Sequence, residues 1–203
     1  MSEIRNVAII GEKGIGKTTL ANALLGWDIF PQSYENECFP TEKNDSKMMT
    51  DSIQLTDTPG YCLLWDTVPE ETVKAVREAD TIIAVLGEEL DDVEDAPEDA
   101  LTDPEWESCG VDKAQTLQKL LEEAKTRDIL FVIAYDTEYW EEWEIPLEKA
   151  LHRARKAYSA MTDRGEEGFF CVDPMKALIG EIEADDEATK QAGIVQLREA
   201  LVG

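Results

Sequence analysis

The sequence has little positive charge, a single histidine and no paired cysteines, and each shortage argues against a class of site or partner. Its 203 residues include 19 Lys and Arg against 45 Asp and Glu, a formal net charge of −26. An anion of this size repels nucleic-acid phosphates and anionic lipid, so we expect neither as a partner. It favours a bound Mg²⁺ ion or a basic protein surface instead. With His152 alone and four cysteines far apart, a zinc site is not expected.

Long apolar runs are also missing. No segment approaches the ~18 consecutive apolar residues that a membrane-spanning helix needs. The first ten residues lack the apolar core of a secretory signal, and widely spaced cysteines fit a reducing compartment. We therefore expect a cytoplasmic protein without a membrane span. The 43% apolar content and the chain length are typical of one folded domain, which we predict over residues 1–203.

Short apolar runs alternate with amphipathic segments along most of the chain. The apolar runs predict buried strands, and the amphipathic segments predict helices. The predicted strands cover residues 6–10, 52–57, 81–87, 129–135 and 168–172, and the predicted helices cover 17–26, 69–80, 112–128, 146–161 and 193–203. This order predicts an α/β fold of three layers, with a mostly parallel central sheet and helices on both faces. Ligands of such sheets bind at the carboxyl ends of the strands.

One segment, at about residues 88–108, interrupts this alternation. It contains eleven acidic residues and no basic one, and it follows the end of a predicted strand. We interpret it as an acidic insertion at the ligand-binding rim of the sheet. It could be a solvated loop, a segment that binds a partner, or an acidic plug that competes with phosphate for a basic site.

The glycine-rich stretch between the first strand and the first helix carries the strongest motif. Gly11, Gly16, Lys17 and Thr18 have the spacing of a P-loop, G-x-x-x-x-G-K-[ST], in the strand–loop–helix context that the motif requires. Its backbone N–H groups and the helix N-terminus favour phosphate, the lysine reaches the β- and γ-phosphates, and the threonine hydroxyl binds Mg²⁺. The residues predicted to bind nucleotide here are Gly11, Lys13, Gly14, Ile15, Gly16, Lys17, Thr18 and Thr19.

A second motif, D-T-P-G at residues 57–60, closes the predicted strand 52–57, forty residues beyond Lys17. Asp57 there can hold Mg²⁺ through a water, and the Gly60 N–H can contact a γ-phosphate. The P-loop, the D-T-P-G motif and the sequence N-A-L-L-G at residues 22–26 together resemble the Era/TrmE-like branch of translation-factor-type GTPases. The resemblance implies the P-loop NTPase fold, GTP and GDP as bound nucleotides, and Mg²⁺ as cofactor.

This resemblance also implies a threonine in the first switch segment that binds Mg²⁺ and the γ-phosphate. Thr41 is our candidate, twenty-four residues after Lys17, and Thr50 is the alternative. We thus predict Thr18, Thr41 and Asp57 as metal-binding residues, and Lys17, Thr41 and Gly60 as catalytic residues. Tyr61 follows the D-T-P-G motif where Ras-like GTPases have a water-orienting glutamine, so we expect slow intrinsic hydrolysis.

The base-reading motif of the family, N-K-x-D, is not recognisable after the predicted strand 129–135. The sequence there is A-Y-D-T-E-Y-W, in which Asp136 is the candidate base-binding carboxylate. The family's S-A-K motif is replaced by V-D-P at residues 172–174, which makes Asp173 a second candidate. The Asp-Pro pair is also similar to the EutP/PduV group of GTPases.

Three functions remain open from the sequence. The first is a GTP-binding switch with slow Mg²⁺-dependent hydrolysis and a protein partner or homodimer. The second is an ATP-binding P-loop protein or nucleotide kinase, and the third is a pseudo-GTPase that serves as a scaffold. The MinD/ParA type of ATPase is disfavoured, because its signature lysine directly follows the first glycine, where this chain has Glu12. Lys13 instead occupies a loop position where Ras-like GTPases keep glycine.

Overall fold

The structure, a computed structural model, describes residues 4–31, 41–61, 68–87, 116–126, 128–142, 146–162 and 165–203. The predicted acidic insertion at about 88–108 lies outside these residues. The strands are β1 (Arg5–Gly11), β2 (Asp45–Met48), β3 (Ile53–Asp57), β4 (Thr81–Gly87), β5 (Ile129–Ala134) and β6 (Phe169–Val172). The helices are α1 (Lys17–Leu25), α2 (Glu70–Glu78), α3 (116–122), α4 (Thr137–Glu142), α5 (Leu147–Thr162), α6 (Pro174–Glu183), α7 (Asp186–Gln191) and α8 (Ile194–Val202).

The six strands form one sheet in the order β2-β3-β1-β4-β5-β6. All neighbouring pairs are parallel except β2 and β3, which are antiparallel, so β2 is an antiparallel edge strand. One buried apolar cluster lies between the sheet and α1, α6 and α8, and a second lies between the opposite face and α2, α3 and α5. The predicted three-layer architecture with a mostly parallel sheet is confirmed.

The continuous burial of the central strands explains why their sequences are uninterrupted apolar runs. Six of the seven residues of β4 are buried, and the last four residues of β5 are buried as well. Side chains of such strands alternate between the two faces, and both faces here are covered by helices. The parallel pairing also brings the carboxyl ends of β1, β3, β4, β5 and β6 to one edge of the sheet, where the candidate site lies.

Four elements were not predicted: β2, α4, α6 and α7. β2 is short and polar, and its residues alternate between half-buried and exposed positions, as suits a sheet edge. α6 begins with Pro174 directly after the N-cap Asp173, whose side chain accepts a hydrogen bond from the Lys176 backbone N–H. α7 has six residues, which is too short for a helical period to be distinct in the sequence.

Within the described ranges, none of the helices combines the length and the apolar character that crossing a membrane requires.

Candidate functional site

The loop between β1 and α1 has the backbone conformation that its glycines predict. Gly14 and Gly16 have φ of 84° and 91°, a left-handed conformation that side chains other than glycine adopt at a cost. Gly16 is the N-cap of α1 and has no side chain to bond the first-turn N–H groups. A Cβ atom at Gly11 would lie 2.6 Å from the Val85 carbonyl oxygen of β4. The loop can therefore present backbone N–H groups to an anion.

Lys17 is buried at the start of α1, with 6% of its surface exposed. Its Nζ donates a hydrogen bond to the Glu12 carbonyl oxygen at 2.7 Å, across the loop. Burial lowers the pKa of Lys17 to about 8, against the opposing effect of the carboxylates of Asp57 and Glu12. The ammonium group is thus held inside the loop with little water around it, which strengthens its attraction for a phosphate.

Three oxygen-bearing side chains from separate segments meet beside the loop. Thr18 Oγ1 donates to Asp57 Oδ2 at 2.8 Å, and Thr41 Oγ1 donates to the same oxygen at 3.1 Å. The two hydroxyl oxygens are 3.3 Å apart. We call Thr18, Thr41 and Asp57 the hydroxyl–carboxylate cluster. The structure therefore brings together all three residues that the sequence nominated for a metal, and of the two candidate threonines, Thr41 and not Thr50 contacts Thr18 and Asp57.

The second carboxylate oxygen of Asp57, Oδ1, differs from Oδ2 in its contacts. Asp57 is 2% exposed, and its Oδ1 is buried without a hydrogen-bond partner among the described residues. Burial raises the pKa of the Asp57 carboxyl, against hydrogen bonds from Thr18 and Thr41 and the charge of Lys17. A buried carboxylate oxygen without a partner is costly unless a cation or a donor reaches it. Mg²⁺ fits this donor set, since it takes oxygen ligands and binds through one or two carboxylates plus substrate phosphates.

The D-T-P-G segment is pinned by two buried threonine hydroxyls. Thr58 Oγ1 donates to the Ile9 carbonyl oxygen at 2.8 Å, and Thr72 Oγ1 of α2 donates to the Pro59 carbonyl oxygen at 2.7 Å. Gly60 then passes directly over the P-loop. A Cβ atom at Gly60 would lie 2.5 Å from Lys13 Cα and 2.8 Å from Lys17 Nζ. Only glycine allows this approach.

Tyr61 extends the contact between the two motifs. Its carbonyl oxygen accepts a hydrogen bond from the Lys13 N–H at 2.9 Å, and its own N–H donates to the Gly11 carbonyl oxygen at 3.3 Å. The ring is 2% exposed and belongs to the apolar cluster under α2, α3 and α5. Burial raises the pKa of the Tyr61 phenol further above its already high ordinary value. The side chain thus points into the core.

A cavity of about 320 Å³ lies beside the P-loop, between the ends of β5 and β6. We call it the base pocket. Its lining consists of Gly14, Ile15, Gly16 and Thr19 from the loop and α1, Ala134, Tyr135 and Asp136 from the end of β5, and Asp173, Pro174 and Met175 from the start of α6. Both base-binding candidates from the sequence therefore line one pocket that is continuous with the phosphate loop.

The two carboxylates of this pocket have different surroundings. Asp173 is 3% exposed. Its Oδ2 accepts from the Thr137 N–H and Oγ1 at 3.0 and 2.6 Å, and its Oδ1 accepts from the Lys176 N–H at 2.9 Å. Asp136 is exposed, and its Oδ1 accepts from the N–H groups of Glu138 and Tyr139 at 2.9 and 3.2 Å. The sequence does not indicate the hydrogen bonds between Thr137 and Asp173, because the two residues are 36 positions apart in the chain.

Asn22 is a further residue whose role the sequence did not reveal. It is fully buried in α1, and its Oδ1 accepts from the N–H groups of Ile29 and Phe30 at 3.0 and 2.8 Å. Its Nδ2 donates to Asp28 Oδ1 and to the Phe30 carbonyl oxygen. The asparagine of the N-A-L-L-G sequence thus holds residues 28–30, which follow α1, in place.

Comparisons with known proteins identify the family and the fold. A family model described as 50S ribosome-binding GTPase matches residues 6–134, so the match ends at the last residue of β5, just before Tyr135. No curated protein sequence matches the chain significantly.

Two solved structures of Era proteins resemble the chain. A variant of Aquifex aeolicus Era bound to GDP and AlF₄⁻ is 19% identical, with a TM-score of 0.55 over 90% of this chain and 55% of that one. Era in complex with MgGDPNP and nucleotides 1506–1542 of 16S ribosomal RNA is 18% identical, with a TM-score of 0.55 over 91% and 56%. This chain thus matches just over half the length of either protein. The predicted P-loop NTPase fold and the resemblance to Era are confirmed.

Proposed function

The chain belongs to the 50S ribosome-binding GTPase family, and we propose that it is a molecular switch whose Mg²⁺-dependent hydrolysis of GTP is slow without a partner. GTP binding and GTP hydrolysis are the activities of the family. The Mg²⁺ dependence, the residue roles and the slow rate are our proposals for this chain. In this account residues 1–203 form a single G domain with an acidic insertion at about 88–108.

The observation that carries the proposal is the hydroxyl–carboxylate cluster beside the buried Lys17. Thr18, Thr41 and Asp57 would hold Mg²⁺, which supplies positive charge against the phosphate oxygens. Lys17 exchanges its hydrogen bond with the Glu12 carbonyl oxygen for the β- and γ-phosphates, and the N–H of Gly60 contacts the γ-phosphate. Because Thr41 and Gly60 come from two separate segments, the γ-phosphate would hold both in place and release them after hydrolysis.

The slow rate follows from Tyr61. Its ring is buried in the core, so it cannot orient an attacking water as a glutamine amide does. Catalysis would then need another group, supplied by a protein partner, a second copy of the chain or a monovalent cation. Lys13 stands where Ras-like GTPases keep glycine, so we propose that this group does not enter past the P-loop.

The cellular compartment and the partners of the protein are also proposals. We propose a cytoplasmic protein whose partner is a protein, with basic surfaces favoured by the net charge of −26. We predict that nucleic acid is not a partner. The Era complex with 16S ribosomal RNA nucleotides favours the opposite prediction. Filter binding of ribosomal RNA at low and physiological salt would decide, since phosphate-driven binding weakens steeply with salt.

The proposed function is tested by single-turnover release of phosphate from GTP, with Mg²⁺ and with EDTA. We expect a rate on the order of 10⁻³ s⁻¹ or slower with Mg²⁺, no hydrolysis with EDTA, and none in Lys17→Ala. Lys190→Ala is the control, because Lys190 is exposed on α7. Binding of GTP without any hydrolysis would favour the scaffold function instead, and hydrolysis in EDTA would contradict the proposed metal site.

A further inference from the structure

We infer that the base pocket accepts purine nucleotides with little discrimination between guanine and adenine. The inference rests on the proposed function, because it concerns the base of the same bound nucleotide. Its basis is that both oxygens of Asp173 and one oxygen of Asp136 already accept hydrogen bonds from the protein itself.

Selective reading of guanine by a carboxylate needs two free oxygens. The Watson–Crick edge of guanine presents two adjacent donors, N1–H and N2–H₂, whereas adenine presents one amino donor beside an acceptor nitrogen. An ionised carboxyl accepts on both oxygens, so a free one can pair with both guanine donors at once. A single oxygen can accept from one donor of either base and does not distinguish them.

Both oxygens of Asp173 already accept hydrogen bonds. Its Oδ2 accepts two hydrogen bonds from Thr137, and its Oδ1 accepts one from the Lys176 N–H at the first turn of α6. The residue is 3% exposed. A base that replaced the donors on either oxygen would leave the start of α4 or of α6 without its hydrogen bond in the interior. Asp173 is therefore a positioning residue that ties the end of β5 to α6.

Asp136 can offer one oxygen. Its Oδ1 accepts from the N–H groups of Glu138 and Tyr139, in the manner of a helix cap for α4. Its exposed position leaves Oδ2 accessible to a ligand. Paired reading of guanine would require Oδ1 as well, and would leave the first-turn donors of α4 unbonded.

Two backbone donors beside the pocket are also committed, and a third position has no donor. The N–H of Tyr135 donates to the Val172 carbonyl oxygen at 3.0 Å, the N–H of Thr137 donates to Asp173, and Pro174 has none. The lining also offers the faces of Tyr135, Pro174 and Met175. Stacking and apolar contact of this kind tolerate any base.

The test is isothermal titration of the full chain, with Mg²⁺, using GTP, ITP, ATP and tripolyphosphate. A site built around paired hydrogen bonds rejects an analogue that lacks one of them by several orders of magnitude, whereas a tolerant site changes by about tenfold or less. We expect GTP, ITP and ATP to bind within about tenfold of one another. GTP binding about 100-fold or more tighter than ATP and ITP would overturn the inference and leave the proposed function standing.

Failure of every nucleotide and of tripolyphosphate to bind would overturn both the inference and the proposed function. Asp136→Asn adds a second measurement, since the amide keeps one oxygen for the helix cap and alters the other. We expect it to change the affinities for GTP and ATP by a similar factor, so that their ratio is kept. A shift of preference toward XTP by about 100-fold, as a paired reader would give, would overturn the inference. Asp185→Asn is the matched control, because Asp185 caps α7 in the same way, away from the pocket.

Discussion

At the scale of single residues, the threonines in and around the site show that the same type of side chain has different roles in different surroundings. Thr18 and Thr41 share the Oδ2 atom of Asp57 and leave Oδ1 without a partner among the described residues. Thr58 and Thr72 instead hold the D-T-P-G segment by bonding backbone carbonyl oxygens. The difference is one of neighbours, since only the first pair contacts a buried carboxylate. The first pair therefore lies at the proposed metal site, and the second pair holds the D-T-P-G segment in place.

Thr41→Ala should weaken GTP binding and leave GDP binding nearly unchanged. The hydroxyl is proposed to contact Mg²⁺ and the γ-phosphate, which GDP lacks, so we expect a loss of about 1.5–3 kcal/mol for GTP alone, roughly ten- to a hundredfold. Isothermal titration with both nucleotides in Mg²⁺ measures this ratio. Thr50→Ala is the matched control, because the Thr50 hydroxyl accepts from the N–H groups of Ser52 and Ile53 in the β2–β3 turn. An equal loss in both variants would argue that Thr41 has no special role.

Gly60→Ala should impair the site without unfolding the protein. The added Cβ would lie 2.5 Å from Lys13 Cα and 2.7 Å from its N, both backbone atoms, so the P-loop or the D-T-P-G segment must move. Overpacking costs about 1–3 kcal/mol, so we expect GTP affinity or hydrolysis to fall about 5- to 150-fold. Gly165→Ala is the control, since a Cβ added there would meet no atom within 4 Å and the φ of Gly165 is −66°. Normal hydrolysis by Gly60→Ala would contradict the close approach.

At the scale of elements, the site depends on how the helices start. α1 begins at a glycine with no side-chain cap, whereas α6 begins with the capping side chain of Asp173. Asp173 also bonds Thr137 at the start of α4. The Asp173 carboxylate therefore holds the starts of both α4 and α6 at the base pocket. Its removal should destabilise both helices.

Asp173→Ala should lower the free energy of unfolding by about 3 kcal/mol or more, because three donors lose a buried, charged acceptor. Asp185→Ala, which removes the exposed cap of α7, should cost only about 1 kcal/mol. Urea denaturation of the two variants and the wild type measures both values. Equal losses would show that the Asp173 bonds are no stronger than a surface cap.

The sequence predicts the elements whose burial is continuous and misses those formed by local capping. The five predicted strands lie within two residues of β1, β3, β4, β5 and β6, because covered parallel strands are uninterrupted apolar runs. β2, α6 and α7 have no comparable pattern. The P-loop can be predicted from the sequence, because the residues proposed to bind phosphate are neighbours in the chain. The hydrogen bonds between Thr137 and Asp173 cannot be predicted in this way, since they form where the ends of two strands meet in the fold.

At the scale of the whole molecule, the charge of −26 acts on folding as well as on partners. Like charges spread over one compact domain repel each other, and unfolding separates them. Salt screens this repulsion, because the Debye length falls from about 20 Å at 20 mM to about 7 Å at 200 mM ionic strength. The molecule should therefore be more stable in salt.

We expect 200 mM NaCl to raise the free energy of unfolding by on the order of 1 kcal/mol relative to 20 mM. Urea denaturation at the two salt concentrations measures this, and an uncharged solute at equal osmolarity is the control. A decrease with salt would mean that attractive ion pairs, such as Arg5–Asp128 and Arg77–Glu123, outweigh the net repulsion.

The effect of Mg²⁺ on GTP affinity, measured in the wild type and in Asp57→Asn, is the decisive test of the proposed metal site. Titration calorimetry with GTP in Mg²⁺ and in EDTA gives the four dissociation constants. We predict that Mg²⁺ tightens GTP binding by at least about tenfold in the wild type, about 1.4 kcal/mol, and has little effect in Asp57→Asn. Asp51→Asn, at an exposed position, should respond like the wild type. An undiminished Mg²⁺ effect in Asp57→Asn would contradict the assignment of Thr18, Thr41 and Asp57 as the metal site.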